Sequence, residues 1–222
     1  MADIDRAEIS RLRRSYGEAG LVESEIALNP IEQLSRWLAE AVQNPVIVEA
    51  NAMVLSTTVA DQPTSRTVLL KDLSKDGLTF FTNYNSRKSN SIAINPKVSL
   101  LFPWYAMERQ VMVTGSAERI APEESDAYFA TRPWQSQIGA WASDQSQPLE
   151  DREFLQAKWA EFAAKFPEGS VVPRPPHWGG YLVRPDSIEF WQGRYSRLHD
   201  RIRFTRSNAG SETDWKIQRF FP

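Results

Sequence analysis

The sequence predicts a mainly β protein in which antiparallel strands form a closed or split barrel, with helices at its periphery. Short β-prone runs separated by turn residues occupy the middle and the end of the chain, and only a few segments have helical periodicity. Strands and helices are grouped, which does not fit alternating βαβ units. A barrel would also pair the edges that an open sheet exposes.

The strands are predicted from alternating hydrophobicity and from the turns between them. Turns at 61–63 and 75–77 separate the first three strands, for which a meander is the simplest arrangement. Two later strands extend this meander, and four more follow near the end of the chain. The predicted strands are Ala52–Val59, Ser65–Lys71, Leu78–Thr82, Val98–Phe102, Arg109–Ile120, Tyr181–Val183, Ser187–Trp191, Ile202–Thr205 and Trp215–Gln218.

The helices are predicted from their caps and apolar faces. Asn29, Pro30 and Glu32 form a plausible N-cap, N1 and N3 set for a helix that ends near Asn44. Ser86 can cap a second helix that runs to residue 95. Further helices are predicted at Ile4–Ala19, Pro122–Thr131 and Leu149–Phe166, the first of them a basic arm.

Composition limits the class of protein. The 222 residues, 41% of them hydrophobic, predict one domain over residues 1–222, with residues 1–20 as an N-terminal arm. The chain has no cysteine, which points to a reducing compartment, and its charged start and lack of a long apolar run predict a cytoplasmic protein outside the membrane. A net charge of −2 argues against a broad nucleic-acid-binding surface.

Several kinds of chemistry are disfavoured by what the sequence lacks. Its ten glycines form neither a GxGxxG pattern nor a P-loop. Its two histidines, His177 and His199, have no spacing typical of metal ligands, so no metal site is expected. No GxSxG motif is present for a serine hydrolase. His177 is predicted to be a surface or packing residue.

Clustered cations and hydroxyls instead indicate anion binding. Ser86, Arg87 and Lys88 would place two cations beside the free backbone N–H groups of a helix start, where a phosphate binds well. Positive charge at this helix end favours a binding role over plain solvation. In a regular strand, Arg66 and Lys71 face opposite ways, so either a bulge intervenes or they serve different ligand groups.

Three other features each have an ordinary structural interpretation and a functional one. Tyr128, Arg132 and Ser136 are four residues apart, but Pro133 argues against one unbroken helix, and an ordinary surface turn is the simpler interpretation. Trp191 could be a core residue of its strand. His199 could be a buried, satisfied histidine beside Asp200.

Seven segments in one order carry a family resemblance: RTVLLK (66–71), FFTNYNSRK (80–88), SLLFPW (99–104), ERQVMV (108–113), SQIGAW (136–141), EFWQG (189–193) and RLHDR (197–201). The chain resembles the pyridoxine/pyridoxamine 5′-phosphate oxidases from about residue 11 to its end. The resemblance implies a split β-barrel homodimer with two FMN sites at the interface, built from both chains. It also implies the reaction, oxidation of pyridoxamine or pyridoxine 5′-phosphate to pyridoxal 5′-phosphate, with O2 consumed and H2O2 released.

The resemblance further implies the site residues. The substrate phosphate should meet Lys71, Tyr128, Arg132 and Ser136, with Arg197 and His199 at the pyridine ring as the catalytic pair. A lid is expected from the arm at Arg13, Arg14 and Tyr16. The implied FMN contacts are Arg66, Thr67, Val68, Leu69, Leu70, Lys71, Phe81, Thr82, Arg87, Lys88, Gln110, Gln145, Ser146, Trp191 and Arg201.

Three other functions compete with this one. An FMN oxidase of the same fold could act on another metabolite, such as a phenazine precursor, but the full phosphate-binding set favours a phosphorylated substrate. A carrier that binds FMN or pyridoxal phosphate without turnover is the second. A nucleic-acid-binding barrel is the third, and the overall acidity disfavours it.

Overall fold

Nine antiparallel strands form one sheet in the computed structural model, which describes residues 12, 15–207 and 215–222. The hydrogen-bonded order is β2-β1-β5-β6-β7-β4-β3, while β8 pairs with β7 and β9 with β8. The strands are β1 Ala52–Val59, β2 Gln62–Leu69, β3 Asp72–Ser74, β4 Gly77–Asn83, β5 Lys97–Trp104, β6 Arg109–Arg119, β7 Trp178–Gln192, β8 Asp200–Arg206 and β9 Trp215–Phe220.

Strand β7 divides the sheet. On one side it pairs with β6, from residue 181 to residue 192. On the other side its first part, residues 178–183, pairs with β4, and its last part, residues 187–192, pairs with β8. The neighbouring strands therefore separate midway along β7, which produces the split of the predicted barrel.

The pairing of β6 with β7 is irregular where the split occurs. The register shifts between Thr114 and Gly115, and Gly115 faces Pro185. A Cβ atom on Gly115 would lie 2.1 Å from the carbonyl oxygen of Arg184, so only glycine allows this close approach. Pro185 has no N–H to donate to the ladder, and the irregularity accommodates it.

Five helices lie around the sheet within the described residues: α1 Pro30–Gln43, α2 Arg87–Ile94, α3 Pro122–Ala130, α4 Trp134–Ala142 and α5 Arg152–Lys165. The Asn29 side chain caps α1 by accepting the N–H of Ile31, as predicted. Asp151 caps α5 by accepting the N–H of Phe154 at 2.7 Å. None of the helices in the described part of the chain is long and apolar enough to cross a membrane.

The main hydrophobic core lies between the sheet and α1. Phe190 is fully buried and makes edge-to-face contacts with Trp37 of α1 and Phe204 of β8, at centroid distances of 5.2 and 5.7 Å. The buried residues of this core extend along the chain from Leu21 to Phe204. The assignment of the chain to one domain stays a prediction. A second cluster around Phe129 and Trp178 packs beneath α3, α4 and α5.

The predicted fold class and the first strand are confirmed, but the meander is wrong. The hairpins β1–β2 and β3–β4 form, yet β2 and β3 lie at opposite ends of the sheet order because β1 pairs with β5 and β4 with β7. The segments expected as separate strands at 181–183 and 187–191 are one strand, β7. Turn residues determine local hairpins, whereas pairing between distant strands depends on the core.

Helix predictions also needed correction. Helix α4 and the short strand β3 were not predicted, and α5 begins at Arg152 instead of Leu149 because Asp151 caps it. Residues 15–19 are not helical, since the Gly17 N–H donates to the Glu108 carboxylate and the Gly17 carbonyl accepts from Tyr195. Residues 4–11, 13 and 14 of that predicted helix lie outside the described residues.

We expect Phe190→Ala to lower the free energy of unfolding by roughly 3–5 kcal/mol, because it leaves a cavity between α1 and β8. Phe154→Ala is the matched control, since Phe154 is 49% exposed, and it should cost less than about 1 kcal/mol. Urea unfolding at one fixed protein concentration measures both. Equal losses for the two variants would contradict this assignment of the core.

Candidate active site

A cavity of about 670 Å³ lies between the ends of β2 and β4 and the helices α3 and α4. It brings together most of the residues predicted to bind a phosphate or FMN: Thr67, Val68, Leu69, Lys71, Phe81, Thr82, Lys88, Tyr128, Arg132, Ser136 and Gln145. We refer to it as the Lys88 cavity. Leu70 does not line it, because its side chain is buried in the main core.

Lys88, in the first turn of α2, is a buried cation held by neutral oxygens. Its Nζ donates to Thr82 Oγ1 at 3.0 Å, Gln145 Oε1 at 2.9 Å and Ser86 Oγ at 3.3 Å. Burial, and then the positive charge of Arg66, lower the pKa of Lys88 to about 8. The negative charge of a phosphate beside this ammonium would raise the pKa of Lys88 again.

Ser86 occupies the N-cap position of α2, but its side chain does not cap the helix. Its hydroxyl instead lies 3.2 Å from Ser89 Oγ and accepts from Lys88. The prediction of a side-chain cap is therefore wrong. The position at the helix start is as predicted, and the first-turn N–H groups lie beside Lys88.

Arg66 and Arg87 add positive charge near Lys88. Burial and the charge of Arg87 lower the pKa of Arg66, whose guanidinium donates to the Leu55 carbonyl and to Thr57 and Thr64 Oγ1. Arg87 and Ser146 line a neighbouring cavity of about 440 Å³. Arg87 lowers the pKa of Arg66, and Arg66 lowers that of Lys88, so this group of cations suits a dianion.

The geometry of β2 answers the question about Arg66 and Lys71. The pairing of β1 with β2 is regular from residue 62 to residue 69, so no bulge intervenes. Lys71 follows the end of β2, is exposed and lines the Lys88 cavity. The remaining alternative is that the two cations serve different ligand groups, and this stays a prediction.

Tyr128, Arg132 and Ser136 come together around a break in the helix, as Pro133 predicts. Tyr128 belongs to α3, Arg132 lies in the turn and Ser136 belongs to α4, and all three line the Lys88 cavity. Arg132 Nη1 is buried and has no hydrogen-bond partner among the described residues. Burial lowers the pKa of Arg132. An ordinary surface turn would leave this guanidinium in water, so the structure favours anion binding.

A second group of predicted residues lies on another surface. Gln110, Trp191 and Arg201 are neighbours in register across β6, β7 and β8 and line a cavity of about 300 Å³. Trp191 is only half-buried, because Ile188 and Phe190 point to the core from alternate positions of β7. The core interpretation of Trp191 is therefore wrong.

Arg201 is oriented by a buried carboxylate on this surface. Its guanidinium contacts both oxygens of Glu189, at 2.9 to 3.2 Å, and Arg203 donates to the same carboxylate. Glu189 is almost fully buried, so two arginines are needed to compensate for its desolvation. The planar faces of these guanidiniums are thereby fixed against the sheet.

His199 and Arg197 line a cavity of about 450 Å³ with Tyr16. The His199 Nδ1 accepts the backbone N–H of Arg194 at 3.0 Å, which places the ring proton on Nε2. Its ring contacts Trp191 at 4.7 Å and Tyr16 at 5.1 Å. Burial and the nearby charge of Arg197 lower the pKa of His199, so the ring is neutral near pH 7.

His199 is half-buried and Arg194 satisfies its Nδ1, but no hydrogen bond joins it to Asp200 among the described residues. The carboxylate of Asp200 instead binds Arg194, Arg219 and the N–H of Leu21. Arg197 has a positive φ of 61°, a conformation that costs a non-glycine residue energy. Arg13 and Arg14 lie outside the described residues, so the predicted lid stays a prediction.

One chain does not bring the two groups together. Trp178, which lines the Lys88 cavity, begins β7, and Trp191 is its penultimate residue. At ~3.3 Å per residue, roughly 40 Å of strand lies between them. A small ligand cannot contact both ends of β7 in one chain.

Sequence reasoning missed some of the residues that line the Lys88 cavity, and it assigned His177 correctly. Trp178 and Gly139 line the Lys88 cavity but belong to elements whose starts were not predicted. The tryptophan-rich run after Pro133 was the available signal for helix α4. His177 is a packing residue, as predicted, because its Nε2 lies 3.1 Å from the Ala140 carbonyl and its ring meets Trp141. Within the described ranges, no group of three potential metal ligands occurs.

The split barrel and its cation-lined cavities define the class of protein, a split-barrel flavoprotein oxidoreductase. An FMN-binding protein from Nostoc punctiforme has this fold, with a TM-score of 0.69 at 15% identity over 89% of this chain and all of that one. Residues 38–166 match the pyridoxamine 5′-phosphate oxidase model, and residues 178–222 match the C-terminal dimerisation region of pyridoxine 5′-phosphate oxidase. The chain therefore belongs to the pyridoxamine 5′-phosphate oxidase family.

Similar proteins match over nearly the whole chain. A pyridoxine/pyridoxamine 5′-phosphate oxidase from Rubrobacter xylanophilus is 52% identical, with 98% of each chain covered. One from Streptomyces avermitilis is 49% identical, with 95% of each covered. The crystal structure of PhzG from Burkholderia lata, in complex with tetrahydrophenazine-1-carboxylic acid, has a TM-score of 0.83 at 32% identity over 93% of this chain and all of that one.

We expect His199 to titrate below the ordinary value of 6.5, and Arg197→Gln to raise its pKa by removing the neighbouring positive charge. Because burial is the larger cause, the pKa should recover only in part. NMR titration of the two imidazoles measures this, with His177→Gln to assign the signals. A His199 pKa that is unchanged by Arg197→Gln would contradict this account of its electrostatics.

Proposed function

We propose that the chain oxidises pyridoxamine 5′-phosphate and pyridoxine 5′-phosphate to pyridoxal 5′-phosphate, with FMN as cofactor, O2 as electron acceptor and H2O2 as product. With the amine substrate, one H2O is also consumed and one NH3 is released. The observation that carries the proposal is the Lys88 cavity, which has separate cation sets for two phosphates. Relatives at about half identity over the whole chain carry the same name.

We assign each of the two cation sets to one of the two phosphates. Lys88, with Arg66 and Arg87 nearby, suits the FMN phosphate, because Lys88 and Arg87 lie at the start of α2 and the charge of Arg66 lowers the pKa of Lys88. Arg132 and Lys71 suit the substrate phosphate, together with the hydroxyls of Tyr128 and Ser136. The buried, unpaired Nη1 of Arg132 supports this assignment.

The cation set around Arg132 also argues against a phenazine precursor as the substrate. The ligand in the PhzG structure is a carboxylic acid without a phosphate. A phosphate dianion needs more donors than a carboxylate does, and this chain places four donor side chains around one end of the cavity. We therefore favour a phosphorylated substrate over a phenazine precursor.

Other groups position the substrate ring. The fixed tautomer of His199 presents Nε2–H as a donor for a polar ring substituent, and the guanidinium of Arg197 can pack on the face of the pyridine. Neither residue has to act as a strong base. When bound, FMN supplies the two-electron oxidation, and the contribution of the protein is orientation and exclusion of water.

The complete site requires two chains. The chain forms a homodimer through its C-terminal dimerisation region. We propose that the Lys88 cavity of one subunit meets Gln110, Trp191, Arg197, His199 and Arg201 of its partner across this interface. The separation of these groups along β7 supports the proposal.

The location in the cell stays a prediction from the sequence. We propose a cytoplasmic enzyme, because a chain without cysteine fits a reducing compartment. Cell fractionation tests this. A non-enzymatic carrier of FMN would bind the cofactor and release no peroxide, so turnover decides between these two functions.

The purified protein should be yellow and should consume O2 with pyridoxamine 5′-phosphate, releasing one H2O2 for each pyridoxal 5′-phosphate formed. Pyridoxamine itself, without the phosphate, should be at least ~100-fold poorer in kcat/KM, because the cation set around Arg132 then loses its ligand. An oxygen electrode and a peroxide assay measure both. A colourless protein that stays inert after FMN is added would falsify the proposed function.

Heterodimers test whether each site draws on both subunits. Lys88→Gln and Arg201→Gln should each inactivate the homodimer. A heterodimer with one substitution per subunit, isolated through two different affinity tags, should regain about half of the wild-type activity, because one of its two sites is intact.

The matched control carries both substitutions in one subunit and none in the other. If sites are shared between subunits, both sites of this heterodimer are damaged and it should be inactive. If each site lies within one chain, it should retain half of the activity and the first heterodimer none. The two models therefore predict opposite results.

A further inference from the structure

Trp178 contacts the guanidinium of Arg132, the cation assigned to the substrate phosphate. The central guanidinium carbon lies 4.6 Å from the centroid of the Trp178 ring and 5.5 Å from that of Phe129. These distances are within the range of cation–π attraction. Arg132 is thus held by aromatic faces, while its Nη1 has no hydrogen-bond partner in the described part of the chain.

We propose that Trp178 is a positioning residue that holds Arg132 ready for the substrate phosphate without occupying its N–H donors. A carboxylate partner would hold the guanidinium through its edge, which is where the donors lie, and would cancel its charge. An aromatic face attracts the cation through the flat side of the guanidinium instead. The edge and the charge then remain available to the ligand. This inference rests on the proposed role of Arg132.

The ring of Trp178 is itself fixed. It lies nearly parallel to Phe81 and Tyr128, with interplanar angles of 12° and 5° and centroid distances of 5.3 and 6.2 Å. Phe81 and Tyr128 also stack on each other at 3.9 Å. This aromatic stack joins β4, α3 and β7, so the position of Arg132 is tied to three elements of the fold.

Hydrogen bonds fix the backbone of Trp178 in the same way. Its carbonyl accepts from Arg174 Nη1 at 2.6 Å, and Arg174 Nε donates to Asp126 of α3, also at 2.6 Å. Its N–H donates to the Pro175 carbonyl at 3.0 Å. Asp126 and Tyr128 belong to one helix, so α3 and the start of β7 form a common support for Arg132.

The test replaces the aromatic face. Trp178→Leu removes it, Trp178→Phe keeps a smaller one, and Trp141→Leu is the matched control. Trp141 packs on Phe162 at 5.5 Å on the other side of the second cluster and does not line the Lys88 cavity. Two measurements are made on FMN-loaded dimers: binding of inorganic phosphate by 31P NMR titration, and kcat and KM for pyridoxamine 5′-phosphate.

We expect Trp178→Leu to weaken phosphate binding and to raise KM by roughly 3- to 30-fold, the range of a partly desolvated cation–π contact, with kcat within about twofold of wild type. Trp178→Phe should recover most of the loss, and Trp141→Leu should bind phosphate as wild type does. Should Trp178→Leu fail to fold, Trp178→Met takes its place, because its longer, flexible side chain adapts to irregular space and has no aromatic face.

Two results would overturn the proposal: phosphate binding within about twofold of wild type when the aromatic face is absent, or an equal loss in Trp141→Leu, which would assign the effect to general packing. The phosphate titration does not depend on turnover. If wild-type protein binds phosphate through Arg132 and Trp178 but does not oxidise pyridoxamine 5′-phosphate, the proposed function fails and this inference stands.

Discussion

Strand β7 is the constraint on which the rest of the structure depends. It pairs with β6 on one side and exchanges β4 for β8 on the other, at the irregularity where Gly115 faces Pro185. Because of this exchange, one strand carries Trp178 at a cavity and Trp191 at a distant surface. In a chain built in this way the two groups of residues lie far apart, and the proposed shared site would join each group to its complement in the partner subunit.

Two cations of the Lys88 cavity, Lys88 and Arg132, share one property: neutral groups hold them. Oxygens of Thr82, Gln145 and Ser86 surround Lys88, and aromatic rings support Arg132. Such cations cost desolvation energy in the absence of an anion, which their lowered pKa values report. A phosphorylated ligand would recover this energy, so these cations suit a dianion.

The surface that Gln110, Trp191 and Arg201 line, here called the Trp191 surface, differs, because a carboxylate offsets part of the positive charge there. Arg201 and Arg203 share the buried carboxylate of Glu189, which fixes their planes and cancels part of their charge. His199 is neutral as well, through burial and the nearby Arg197. This surface is therefore suited to flat, weakly charged rings, whereas the Lys88 cavity is suited to phosphates.

The sequence by itself determined the fold class, the bounds of β1, the helix cap at Asn29, the helix start at Pro122 and the family, because alternation, capping and motifs are local patterns. Only the tertiary structure decided that β2 and β3 lie at opposite ends of the sheet order, that Trp191 is not a core residue and that Trp178 supports Arg132. These features depend on which distant segments pack together, and that choice is made by burial of the whole core and not by any short run of residues.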